Sequence, residues 1–177
     1  QGNSINNNAI TGSIGNGISI LAGAINNLIG TTAANTITGN AGYGISVLDA
    51  NGNQISNNTF GTNGLGGILI SNSSGIVTGN TISGNSGFGI TLNSGTGSQI
   101  SNNTIGTNTG GGVSISNGGG NLNGNIITGN TGLGILVNAS TGNQLTNNTV
   151  GLNTLGGISL SKSSVTLTSN SIAGNFG

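Results

Sequence analysis

Gln99-Ile100-Ser101-Asn102-Asn103-Thr104-Ile105-Gly106-Thr107-Asn108 returns 45 residues upstream as Gln54-Ile55-Ser56-Asn57-Asn58-Thr59-Phe60-Gly61-Thr62-Asn63. It returns 45 residues downstream as Gln144-Leu145-Thr146-Asn147-Asn148-Thr149-Val150-Gly151-Leu152-Asn153. Six of the ten positions are identical in all three copies, and the apolar ones exchange only among Ile, Leu, Val and Phe. Self-similarity at a fixed period marks a repeat fold, in which each unit buries its apolar face against its neighbours.

A second marker runs outward from this stretch: Gly, an apolar residue, any residue, another apolar residue. It opens at Gly17, Gly44, Gly67, Gly89, Gly112, Gly134 and Gly157, and its first apolar residues are 27, 23, 22, 23, 22 and 23 positions apart. Its alternation is the period-two pattern of a strand with one buried face. Two more apolar points lie between successive markers, such as Ile100 and Ile105 before Val113. Three short strands per coil of 22–23 residues predict an all-β, three-sided, right-handed parallel β-helix of about eight coils in a 45-residue double repeat. Coils stack at roughly 4.8 Å, so eight make a rod of about 38 Å. The single interval of 27 is read as one coil carrying a surface loop near Thr31 to Ala34.

Two coil types alternate. One continues from its middle strand as Ile82-Ser83-Gly84-Asn85-Ser86-Gly87-Phe88-Gly89, the other as Ile105-Gly106-Thr107-Asn108-Thr109-Gly110-Gly111-Gly112. Tyr43, Phe88 and Leu133 share one place in the first type and recur at about 9.6 Å, twice the strand spacing. That is too far for rings to stack on one another, so each is expected to fill the gap left by the Gly of the next coil.

Asn stands two positions before every middle apolar residue, at Asn8, Asn35, Asn58, Asn80, Asn103, Asn125, Asn148 and Asn170. A second column three positions after it comprises Asn40, Asn63, Asn85, Asn108, Asn130, Asn153 and Asn175, with Ser13 the exception. At tight corners Asn tolerates left-handed backbone angles, and its amide can reach the Asn one coil away. Two structural Asn ladders are therefore expected. A column of outward Thr, namely Thr36, Thr59, Thr81, Thr104 and Thr149, precedes the middle apolar residue and is the candidate surface-binding array. Ile126 and Ser171 break its line, and the adjacent column is mixed.

Charge is nearly absent. Among 177 residues there are one acid, Asp49, and one base, Lys162, with no His, Cys, Met, Trp or Pro. Nucleic acid and anionic lipid find no electrostatic attraction here, and no apolar run approaches the roughly 20 residues that span a bilayer. Acid–base hydrolysis needs paired carboxylates, and a metal needs a cluster of ligands. Asp49 and Lys162 share a corner phase but lie five coils apart, about 24 Å. These counts lead to the expectation of no enzyme, no cofactor and no metal site. Without charge repulsion, self-association is expected.

The sequences Asn-Thr-Ile-Ser-Gly-Asn with Gly-Phe-Gly-Ile, and Asn-Asn-Thr-Ile-Gly-Thr-Asn, resemble the right-handed parallel β-helix repeats of the pectate-lyase-like superfamily. That resemblance covers practically the whole chain and implies an extracellular or cell-surface location. The superfamily includes lyases, epimerases, adhesins and stalks, and function is set by sites rather than by the fold. The chain opens in mid-coil at Gly2-Asn3-Ser4-Ile5 and closes at Gly174-Asn175-Phe176-Gly177 without a polar cap. Residues 1–177 are thus read as a single β-solenoid domain, a segment of a longer solenoid or a stacking subunit. The leading expectation is a structural filament or scaffold protein whose partner is itself. The alternatives are an ice-binding solenoid and a carbohydrate-binding or adhesin β-helix, with ice or polysaccharide as partner.

Overall fold

The computed structural model describes residues 2–177. Its strands form three parallel sheets of eight, eight and seven strands. Sheet A runs from Ser4–Ile5 to Val165–Thr168, sheet B from Ala9–Thr11 to Ser171–Ala173, and sheet C from Ile18–Ile20 to Ile158–Ser161. Each coil visits A, B and C in turn, and every strand pairs with its counterpart one coil away, as Ile82 does with Phe60 and Ile105. This is the expected parallel β-helix, wound in the right-handed sense that parallel crossovers take.

Apolar residues from all three sheets converge on one axial core. Ile55, Val77, Ile100, Leu122 and Leu145 come from sheet A, and Ile37, Phe60, Ile82, Ile105, Ile127 and Val150 from sheet B. Sheet C contributes two columns, beginning with Ile45 and Val47. Because each column is nearly invariant in shape, like packs on like at one strand spacing.

The marker glycines form a continuous inward column at the start of sheet C. A Cβ built on Gly67 would lie 2.5 Å from Ile82 Cγ2 and 2.6 Å from Gly89 O. No side chain fits where the backbone of one coil presses on the next.

Each coil turns at three corners, and each corner holds a residue in the left-handed region. In one coil these are Asn57, Thr62 and Asn72, at φ 60°, 52° and 48°. The left-handed conformation expected of the ladder asparagines falls instead one residue earlier, on Asn57, Asn102 and Asn147. That residue reverses the chain with its own side chain outward, and the Asn after it points inward to be shared between coils.

The irregular first interval is a loop, as expected. Ile29 pairs with Ile55 and Ile37 with Phe60, so eight positions separate the first pair of residues where five separate the second. The three extra residues bulge out around Thr31 to Ala33 and leave the sheet registers intact.

Candidate functional site

Both ladders are buried hydrogen-bonded columns. Asn58 donates from N and Nδ2 to Asn80 Oδ1 at 2.9 and 3.2 Å, and Asn80 donates in the same way to Asn103 at 2.9 and 3.0 Å. In the second ladder Asn63 reaches Asn85 at 3.1 and 2.9 Å, and Asn85 reaches Asn108 at the same distances. The remaining amide hydrogens go to backbone carbonyls, for example Asn103 Nδ2 to Val77 O at 2.9 Å. With interior members at 1% exposure or less, the ladders are scaffold and offer nothing to a ligand. A third, shorter run, Asn3 to Asn27 to Asn53, is built in the same way. It escapes sequence reading because Gly75, Ser98 and Gly120 occupy its later positions and break the column.

Three outward faces remain. Sheet A shows a mixture of Gln, Asn, Ser and Thr, with Leu28 and Ile76 exposed in the same outward column. Sheet B carries the Thr column: Thr36, Thr59, Thr81, Thr104 and Thr149 are all exposed. Beside it, coils of the first type place Thr38, Ser83 and Thr128 at the next outward strand position, where the second type has Gly61, Gly106 and Gly151. In the second type the hydroxyl moves one residue further, onto Thr62 and Thr107 at the corner, with φ 52° and 55°. A β-branched residue is uncommon and strained in that region. Thr107 Oγ1 also accepts from Gly84 N at 3.1 Å, which fixes it across the gap between coils. The second hydroxyl rank is therefore staggered between strand and corner from Thr38 to Thr128, and it stops at Leu152, which holds the corner place in the last coil of the second type.

Sheet C has the longest strands, six residues each in the middle coils, against four and three in sheets A and B. Tyr43 lies over Gly66, Phe88 over Gly111 and Leu133 over Gly156: Cβ atoms built on the first two glycines would be 3.1 Å from Tyr43 Cε1 and 2.9 Å from Phe88 Cδ1. These three glycines have φ of 157°, 135° and 124°. The expected filling of the gaps is thus realised, and the rings remain half-exposed along one side of the sheet. Next to them runs an outward column that includes Ser46, Leu69, Thr91, Ser114 and Leu136, set between core-facing neighbours; Ser46 and Ser114 are buried and the other three half-buried. Sheet C alone combines aromatic surface with an outward column of hydroxyls, which Leu69 and Leu136 interrupt, and among the described residues it carries no charged side chain.

Asp49 and Lys162 are exposed at the corner between sheets C and A, at φ 51° and 49°. They occupy equivalent places separated by five strand spacings, about 24 Å, so the structure does not bring them together.

The family described as right handed beta helix region matches residues 1–150. Among solved structures, the chain superposes on the periplasmic alginate epimerase AlgG with a TM-score of 0.83 and 21% identity, over 97% of this chain and 44% of that one. The A-module of the Azotobacter vinelandii mannuronan C-5 epimerase AlgE4 follows at 0.72 and 14%, over 96% and 55%. The enzymatically active domain of Bacteriophage CBA120 tailspike protein 2 is matched at 0.62 and 14%, over 88% and 32%. The chain spans about half of the length of these proteins or less, and the likeness at such identity is one of fold. No curated protein matches the sequence.

These neighbours overturn the expectation that the chain is no enzyme, since the scaffold it shares with them carries catalysis there. The expectation rested on counting carboxylates, which tests only acid–base chemistry by paired side chains. Hydroxyls, amides and oriented backbone dipoles also stabilise developing charge. None of the three is named as a filament protein, and the filament expectation gains no support from them.

Proposed function

The chain belongs to the right-handed beta-helix family, and from that premise we propose that it engages an uncharged polysaccharide outside the cytoplasm, with the glycan lying along the outer face of sheet C. The carrying observation is the row of half-buried Tyr43 and Phe88 rings beside the half-buried hydroxyl of Thr91, with the buried Ser46 and Ser114 of the same outward column beneath. Ligand surfaces of this kind join apolar or aromatic area to a few placed polar groups. Sugar rings present C–H faces to aromatic side chains and hydroxyls to Ser and Thr. A carboxylated glycan would call for Arg or Lys, and Lys162 is the only basic residue. The periplasmic and phage-borne neighbours support the extracytoplasmic location, and the alginate and mannuronan epimerases support a polysaccharide ligand.

On a glycan array the protein is expected to retain neutral polysaccharides in preference to polyuronates. Phe88→Ala, checked for intact fold by circular dichroism, should weaken retention about tenfold, the equivalent of one lost ring contact of about 1.4 kcal/mol. Absence of neutral-glycan binding, or equal binding by Phe88→Ala, would sink this reading.

A second reading rests on sheet B. Its hydroxyl ranks, interrupted at Ile126 and Leu152 and with Thr62 and Thr107 held in a conformation that glycine adopts in the alternate coils, form an uncharged array suited to ice. Thermal hysteresis abolished by Thr81→Tyr with Thr104→Tyr would support it. Hysteresis absent from the unaltered chain would end it.

A further inference from the structure

We propose that a second copy of this chain docks antiparallel along the corner between sheets C and A, joined by two symmetry-equivalent ion pairs between Asp49 of each copy and Lys162 of the other. The corner is a straight row of equivalent residues, Asp49, Asn72, Ser94, Asn117, Ala139 and Lys162, all exposed and all in the left-handed region. Backbone bonds such as Asp49 N to Ser71 O and Ser94 N to Ser116 O tie each coil to the next just before or at this row. The chain's only acid and only base fall on this one row, although each coil offers more than twenty positions. They are too far apart to pair within one molecule.

A two-fold axis perpendicular to the rod, passing between the coils of Ser94 and Asn117, reverses the row. Asp49 then meets Lys162 of the second copy at one end, and Lys162 meets its Asp49 at the other, over the same separation. The axis also exchanges the two coil types and opposes a hydroxyl with an amide at the centre, Ser94 with Asn117. On the adjoining rim of sheet C it does the same for Asn93 and Ser116. Such an isologous seam is closed, so it ends at a dimer. Exposed ion pairs contribute little affinity but set register and orientation, which places the dimer in the transient class. Because the axis keeps the same side up, both sheet C faces end on one side of the seam, next to each other.

Sedimentation equilibrium at low ionic strength is expected to show a monomer–dimer equilibrium that weakens as salt screens the pairs. Asp49→Lys alone and Lys162→Asp alone should each raise the dimer Kd about tenfold or more, because two attractive contacts become repulsive. Each variant installs a residue that this corner already accommodates elsewhere, so both should fold. An equimolar mixture of the two should form the heterodimer, in which every pair is again opposite in sign, and the double variant should dimerise like the unaltered chain. A strictly monomeric unaltered chain, single variants that dimerise equally well, or a mixture no tighter than its components would each overturn the proposal. None of these readouts involves glycan, so its outcome is separate from that of the sheet C reading.

Discussion

Asn103→Leu should lower the unfolding free energy by about 3–5 kcal/mol and the melting temperature on the order of 10 °C. Asn103 takes part in five hydrogen bonds. Its N and Nδ2 donate to Asn125 Oδ1 at 3.0 Å each, and Nδ2 donates to Val77 O at 2.9 Å. Its Oδ1 accepts from Asn80 N and Nδ2 at 2.9 and 3.0 Å. Leucine has a similar volume, so the loss is one of partners and leaves no large cavity. The Asn80 donors lose their shared acceptor and the Val77 carbonyl loses its amide, all in a dry interior where each unmade bond costs about 1–3 kcal/mol. Chemical denaturation of the purified variant measures the change. A loss below about 1 kcal/mol would mean that the column is not held as a hydrogen-bonded ladder.

Gly67→Ala is expected to be nearly as damaging, at about 3 kcal/mol, the upper end of what overpacking usually costs. The added methyl meets Ile82 Cγ2 at 2.5 Å and Gly89 O at 2.6 Å. Ile82 is fully buried and the carbonyl belongs to the next coil's backbone, so neither neighbour can swing aside. Gly15→Ala serves as the contrast: a Cβ there has nothing within 4 Å and the residue does not require positive φ. The same chemical change at Gly15 should be neutral or stabilise by up to about 1 kcal/mol, through the lower entropy of the unfolded chain. Equal thermal shifts for the two variants would refute the steric account.

Coil length, sheet number, the two Asn ladders and the pairing of rings with glycines were legible in the residues because each repeats in register with the core. What repeats at a shifted position was not. The second hydroxyl rank moves from Ser83 on a strand to Thr107 at a corner, and a column-by-column reading sees only a broken Thr line. The left-handed residue was misplaced by one because Asn102 and Asn103 are the same residue type, and nothing in the type says which reverses the chain. The third Asn run, Asn3, Asn27 and Asn53, is too short to form a pattern against the Gly and Ser that replace it. The enzymatic company of the fold was present in the resemblance to a superfamily that includes lyases and epimerases, but it was set aside on composition, which speaks only for the side chains mounted on the shared scaffold.

The alternation of a large side chain with glycine on sheet C also governs how such a chain can change its length over generations. A duplication or loss of 22 or 23 residues would set ring against ring or leave glycine facing glycine, whereas one of 45 residues restores every neighbour. The heritable unit is therefore the pair of coils. From the Ile37 coil onward, recombination between repeats that keeps these neighbours lengthens or shortens the rod in steps of two strand spacings, about 9.6 Å.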